Sequence, residues 1–389
     1  MRVDILMLSW EYAPDVVGGL GRHVTSLSRA LARLGHRVTV VAPGVAVPDA
    51  GAEDGIEVVR VQDVAPPALD FPERVAQRNA GLLQGVLSAA ASGRKFDLVH
   101  AHDWLTAYAA RAAKHGLGIP LVATIHATEH GRNGGLFTDL QRHISDVEWW
   151  LTYEAWLVIC CSRAMQRELR DVFQVPDDKV RVVPNGVDPP GEERDGGLSG
   201  ERPDHPVVFF VGRLVYEKGV DLLIAAFREV LREHPAAELL IAGKGPEEPR
   251  LRELAHALGI EAHVRFLGYI PDGERNRLYR LADAAVFPSR YEPFGIVALE
   301  AMSYGAPVVA ACTGGLAEVI EHGRTGILFE PGNAEALAGE LSALLKSDKA
   351  RKALGGAARR HVTAAYGWDR VAEATVDVYR EVVKAAARA

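Results

Sequence analysis

The chain has 389 residues, 48% hydrophobic and 24% charged, with 38 glycines and a formal net charge of −7. That length exceeds one ordinary core and predicts two domains, and the composition is that of a globular α/β protein. The acidic balance argues against nucleic-acid or anionic-membrane binding through bulk charge, and three cysteines, Cys160, Cys161 and Cys312, are too few for a disulfide framework or a zinc site.

The N-terminal run carries Asp4 within a short apolar stretch, which predicts a first strand rather than a signal peptide. No apolar stretch approaches the roughly 18–20 residues that span a bilayer, so a cytoplasmic protein without stable membrane insertion is expected. Short apolar runs at 3–8, 38–42, 98–100, 121–125, 157–161 and 180–183 read as buried parallel strands, with 56–61 as an additional one. Helix-length segments such as 20–34 and 73–91 lie between them, and that alternation predicts a doubly wound sheet. Residues 189–206 hold prolines, glycines and charges with one large aliphatic, as a linker or long exposed loop would. The α/β rhythm resumes with strands at 207–211, 238–242, 264–267, 284–287, 308–311 and 326–329, and ends in an amphipathic helix over 368–387. The expected domains are 1–190, joined by the C-terminal helix at about 369–389, and 206–368, with 191–205 between them. Two such sheets, facing across a cleft, would bind ligands beyond the C-terminal ends of their strands.

The chemistry-bearing residues fall at those strand ends. After the first strand, Gly18, Gly19 and Gly21 open a helix whose unhindered N–H groups suit a diphosphate. Neither the dinucleotide fingerprint nor the P-loop pattern is present. His102 and Asp103 follow the third long run and His126 follows the fourth. The two histidines lack the partner spacing of a metal site, so no metal is expected. In the second half, Arg213 and Lys218 follow a strand near a helix start, where acidic residues are the usual preference; the mismatch points to an anionic ligand.

The most informative stretch is Ser289-Arg-Tyr-Glu-Pro-Phe-Gly295, followed by a helix over 296–304. It places Glu292 beside a turn that delivers a helix N-terminus, a natural seat for phosphate, with Glu300 further along to hydrogen-bond a hydroxyl-rich neighbour. A sugar nucleotide has those parts. Thr313-Gly314-Gly315 forms a further glycine turn at a strand end. Trp149, Trp150, Tyr153 and Trp156 cluster where a helix meets a strand, and core packing is the expected role ahead of a sugar-stacking platform.

Taken together, Gly18-Gly-Leu-Gly21, His102-Asp-Trp104, Thr124-Ile-His126, Pro184-Asn-Gly-Val-Asp188, Val211-Gly-Arg-Leu214 with Lys218, Gly243-Lys-Gly-Pro246, Glu292-Pro-Phe-Gly295, Glu300 and Thr313-Gly-Gly315 resemble the retaining glycosyltransferases of family 4. The resemblance covers essentially the whole chain and implies the GT-B fold of two Rossmann-like domains. Within the family the motifs are most similar to bacterial and archaeal glycogen synthases and actinobacterial α-1,4-glucan glucosyltransferases. Val16 stands where classical bacterial glycogen synthases carry a lysine, which leaves ADP-glucose and UDP-glucose both open as donor.

The resemblance implies that Arg213 and Lys218 neutralise the donor diphosphate, that Gly18, Gly19 and the helix after Gly295 add N–H donors, and that Glu300 holds the ribose. It further implies Glu292 beside the transferred glucose, His126 on a sugar hydroxyl, Asp103 orienting sugar or acceptor, and Thr313 and Gly314 in the donor site. No cofactor is implied beyond the nucleotide-sugar substrate; the partners are that donor and an α-glucan or oligosaccharide acceptor. Mannosyl or lipid acceptors, maltose-1-phosphate synthesis, or a nucleotide-sugar sensor remain the alternatives.

Overall fold

A computed structural model describes residues 2–16, 18–44, 55–62, 69–188 and 203–388. The linker expected at 191–205 lies outside the described residues except for 203–205. The chain divides into two compact units, one of residues 1–186 with 368–389 and one of residues 187–367.

Unit 1 opens with β1 (Asp4–Leu8), α1 (Gly19–Arg33), β2 (Arg37–Pro43), β3 (Ile56–Val61) and α2 (Phe71–Ala91). It continues with β4 (Leu98–His102), α3 (Ala107–Leu117), β5 (Leu121–Ile125), α4 (Glu129–Asn133) and α5 (Asp139–Glu154), then β6 (Leu157–Cys160), α6 (Arg163–Phe173) and β7 (Val180–Val182). The seven strands form one parallel sheet in the order β3-β2-β1-β4-β5-β6-β7. Capping places the helices: Asp70 with Glu73 starts α2 and Thr138 with Gln141 starts α5, each a reciprocal box that satisfies first-turn N–H groups.

Unit 2 runs β8 (Val207–Val211), α7 (Val220–Glu233), β9 (Glu238–Ala242), α8 (Glu248–Ala257), β10 (Val264–Gly268), α9 (Asp272–Leu281) and β11 (Ala284–Phe287). It ends with α10 (Ile296–Ser303), β12 (Val308–Ala311), α11 (Leu316–Val319), β13 (Ile327–Phe329), α12 (Ala334–Leu345) and α13 (Asp348–Ala365). Its six parallel strands take the order β10-β9-β8-β11-β12-β13. Both sheets bury their central strands on two faces, which is why those read as continuous apolar runs, while the edge strands β3, β7 and β10 are partly exposed. In each sheet the order reverses once, between β1 and β4 and between β8 and β11. In each unit, side chains just beyond the C-terminal ends of its own two strands therefore border a crevice of that unit.

The last helix, α14 (Trp368–Ala386), belongs to unit 1. Val371, Val376, Tyr379 and Val382 join Val24, Leu27 and Leu31 of α1 in the core. Each such aliphatic side chain contributes about 1.5–3 kcal/mol by leaving water. Trp368 lies against Gly186, where a Cβ would come within 2.5 Å of the indole. Within the Pro-Asn-Gly-Val-Asp motif, then, Gly186 is a packing requirement.

The expectation of core packing for the aromatic cluster is corrected. Trp149 is 46% and Tyr153 67% exposed, and their rings stack on each other at 5.7 Å on the outer face of α5. The core face of that helix is instead Ile144, Val147, Glu148 and Leu151, one register away. Trp156 is exposed as well, just before β6.

Candidate active site

In unit 2, β8 ends at Val211 and leads through Arg213 into a single 3-10 turn, Tyr216–Lys218. Gly219 closes that turn at φ +66°, and a Cβ there would meet the Pro288 carbonyl at 2.1 Å, so the turn is pressed onto the segment that follows β11. Arg290 fastens the same two segments. Its guanidinium forms a two-pronged pair with Asp221 at 2.8 Å on each prong, its ring-facing side lies 4.3 Å over Tyr216, and its N–H donates to the Glu217 carbonyl. Burial alone would raise the Asp221 carboxyl, but Arg290 outweighs it and holds the group below its ordinary value.

The result is that Lys218 Nζ sits 2.7 Å from Glu292 Oε2, with the Ser289 hydroxyl donating to the same oxygen at 3.2 Å. Both charged side chains are largely shielded from water, so their attraction is stronger than that of a surface pair. Thr313 and Gly314 reach the same place: the Thr313 hydroxyl donates to the Arg290 carbonyl, and Gly315 N–H donates to the Glu292 carbonyl at 2.9 Å. A Cβ on Gly314 would stand 1.9 Å from that carbonyl, so only glycine admits the approach. Gly295, at φ +99°, turns the chain into α10. Glu300 lies on α10 and is not solvated: Arg275 and the Tyr279 hydroxyl of α9 each reach its carboxylate at 3.4 Å. Arg213 is exposed, 3.3 Å from the Glu217 carboxylate.

In unit 1, alternation along β4 puts His100 and His102 on one face, and β5 sets Thr124 beside His102. Both His100 nitrogens are bonded, one to the Tyr379 hydroxyl and one to Thr124 Oγ1, each at 2.7 Å. His102 Nδ1 meets His126 Nε2 at 3.1 Å, and the His23 ring of α1 packs edge-on against His126 at 4.7 Å. Burial lowers all four imidazoles, His126 to about 3, so each is neutral at pH 7. Asp103, held at φ +59°, accepts the His126 N–H at 2.7 Å. A non-glycine residue in that conformation stores strain, a feature of functional loops. Burial pushes its carboxyl up to about 6 against the opposing pull of Arg132 and two backbone N–H groups.

Two expectations change. The Gly18 N–H does not point free toward a ligand: it donates to Glu11 Oε2 at 2.9 Å, so the anion at the start of α1 is the chain's own carboxylate. The reason for dismissing a metal at His102 and His126 also fails, because His23 supplies a third nitrogen and all three lie within 4.8 Å of one another. Sequence reasoning missed His23, Glu11, Arg290 and Glu148. Glu148 is buried on the apolar stripe of α5, accepts the Glu129 N–H with both oxygens at 3.0 Å, and is pushed up to about 8, chiefly by burial. Its signal was available as a carboxylate at i+4 from Ile144 and i−3 from Leu151.

Residues 17–190 match the glycosyltransferase family 4 domain and residues 194–361 the glycosyl transferases group 1 domain. An uncharacterized glycosyltransferase of Methanocaldococcus jannaschii is 38% identical over 97% of this chain and 98% of its own. The chain belongs to glycosyltransferase family 4. A glycogen synthase of Mycobacterium tuberculosis is 39% identical to this glycosyltransferase over 96% of it and 94% of the relative. Among solved structures, a sucrose-phosphate synthase from Thermosynechococcus elongatus superposes with a TM-score of 0.85 at 26% identity, covering 99% of the glycosyltransferase and all of that chain. The two parallel Rossmann-like sheets are those of the GT-B fold. Among the described residues of this glycosyltransferase, no helix is long and apolar enough to cross a membrane.

Proposed function

We propose that this glycosyltransferase moves glucose, with retention of configuration, from ADP-glucose or UDP-glucose to an α-1,4-glucan or maltooligosaccharide, with no divalent metal at the diphosphate. The observation that carries the chemistry is the Lys218–Glu292 couple at the crevice of unit 2, braced by Ser289 and Arg290. The choice of glucan rests on kinship with the mycobacterial glycogen synthase.

In this reading Lys218, with Arg213, meets the negative charge that grows on the leaving diphosphate, and the N-terminus of α10 after Gly295 and the Gly19 N–H add to it. Lys218 is held in place before the donor arrives, so little reorganisation accompanies the reaction. Glu292 then faces the sugar hydroxyls and the positive charge developing at the anomeric carbon. Glu300 binds the ribose with its carboxylate already oriented by Arg275 and Tyr279, and Thr313 and Gly314 close the donor site. His126, neutral, binds a sugar hydroxyl without adding repulsion to a cationic transition state, and its main chain is pinned by Asp103. The bond from the anomeric carbon to the phosphate oxygen breaks, the bond to the acceptor oxygen forms on the same face, and the acceptor proton passes to the departing phosphate.

The decisive assay measures nucleotide release from ADP-glucose, UDP-glucose and GDP-mannose, each with and without glycogen or maltooligosaccharide. Glucan-dependent release from a glucose donor is the expected outcome and identifies the base. Release from GDP-mannose alone, or no stimulation by glucan, overturns the substrate assignment.

A further inference from the structure

His23 lies in α1, His102 ends β4 and His126 follows β5, yet their ring nitrogens gather within 4.8 Å inside unit 1. The ring centroids are 5.4 Å apart for His23 and His102, 4.7 Å for His23 and His126, and 5.4 Å for His102 and His126. Three imidazoles bound tetrahedrally to zinc at about 2.0–2.1 Å place their ligating nitrogens about 3.3 Å apart and their centroids about 5 Å apart. The 3.1 Å separation of His102 Nδ1 and His126 Nε2 matches one edge of that triangle, and the edges to His23 lie within 4.8 Å.

The same place is short of hydrogen bonds. Both nitrogens of His23 and Nε2 of His102 are buried with no partner, and the Asn185 amide approaches His23 without a well-formed bond. A buried donor or acceptor left unpaired costs about 1–3 kcal/mol, and an ion where His102 Nδ1 meets His126 Nε2 would engage one of the unpaired His23 nitrogens. His100 takes no part, since both its nitrogens are bonded. All three candidate ligands are neutral, the form that binds metals, so no proton must be displaced at pH 7. A donor set of three imidazoles and no carboxylate selects a borderline-soft divalent ion over magnesium or calcium. His126 is only partly buried, unlike His23 and His102.

We propose that His23, His102 and His126 form a binding site for a divalent transition-metal ion, and that occupancy inhibits transfer by withdrawing His126 from the sugar. The inhibition rests on the role given to His126 under the proposed function; the metal site does not.

The test titrates the full-length, chelator-treated protein with Zn2+ against a chromophoric chelator, and with Co2+ by visible absorption. One equivalent of tight Zn2+ and the intense visible bands of tetrahedral Co2+ are expected. His23→Phe, which keeps the ring volume without nitrogens, and His102→Gln should each weaken that equivalent by at least about 100-fold, more than loss of an outer-shell partner does. Circular dichroism confirms that each variant is folded, and His23→Gln replaces His23→Phe if the latter is not. Absence of a tight equivalent in the wild type, or its persistence in folded variants at both positions, overturns the site and assigns the orphaned nitrogens to water. In the transfer assay, Zn2+ should inhibit competitively with the nucleotide sugar and chelator should restore activity. One bound equivalent without inhibition overturns the link to catalysis and leaves the site standing.

Discussion

In unit 1 the groups at the strand ends are imidazoles that burial keeps neutral and one carboxyl, Asp103, that burial pushes up, whereas in unit 2 they are ion pairs, Lys218 with Glu292 and Arg290 with Asp221. The two regions share a sheet type and a crevice at the same topological point, so the fold does not dictate the difference. What differs is the chemistry each can receive. A pocket of buried, neutral imidazoles suits hydroxyls, whose hydrogen bonds strengthen as water leaves. A braced cation suits a diphosphate, which must be met by charge held in advance.

The two regions differ most at Lys218. Lys218→Ala should lower kcat/KM by about 10²–10³-fold, the loss of one preorganised charge at a leaving group. Unchanged turnover with either glucose donor would remove unit 2's ion pair from the chemistry.

The acidic groups of unit 1 make a claim about pH. A carboxyl whose folded value lies above its unfolded one binds an extra proton when folded, so its contribution to stability declines as pH rises between the two values. For Asp103 that window closes near 6, and for Glu148 it extends from 4.5 to about 8. The lowered histidines act oppositely, adding stability as pH rises toward 6.5 and nothing above it. Between about 6.5 and 8 Glu148 alone of these groups still titrates, so stability should fall there, and Glu148→Gln should flatten the slope and add about 1–3 kcal/mol at the alkaline end. Denaturant melts at several pH values measure it; a slope unchanged in the variant would show that Glu148 is charged.

A smaller effect separates the buried from the exposed aromatics. Tyr379→Phe leaves a His100 nitrogen without its hydroxyl partner and should cost about 1–2 kcal/mol in chemical denaturation. Tyr153→Ala, on the outer face of α5, should change stability by no more than about 0.5 kcal/mol. Equal costs at the two positions would mean that the exposed stack is not exposed in solution.

Much of this architecture was legible in the chain. Runs such as 121–125, 207–211, 284–287 and 308–311 coincide with strands because a parallel strand buried on both faces must be apolar throughout. The strand at 98–100 read short because His100 and His102 look polar. It continues to His102 because Tyr379 and Thr124 satisfy His100, and the first of those comes from 279 residues away. The candidate site was legible where a motif is local, as in Ser289 to Gly295, and illegible where the partner is remote: His23 for the other imidazoles, Asp221 for Arg290. The aromatic cluster misled because composition carries no register, and one step around α5 decides which face meets the core.

The return of α14 to unit 1 has a bearing on how the protein is made. Unit 2 is continuous in the chain and can complete its sheet while synthesis proceeds. Unit 1 can pair its seven strands early but cannot close its core, because Trp368 and Tyr379, which seal α1 and His100, are translated after every residue of unit 2. Until then the apolar face of α1 and the imidazole cluster stand open, a waiting interval in which the nascent first unit is most exposed to chaperones and to misassociation.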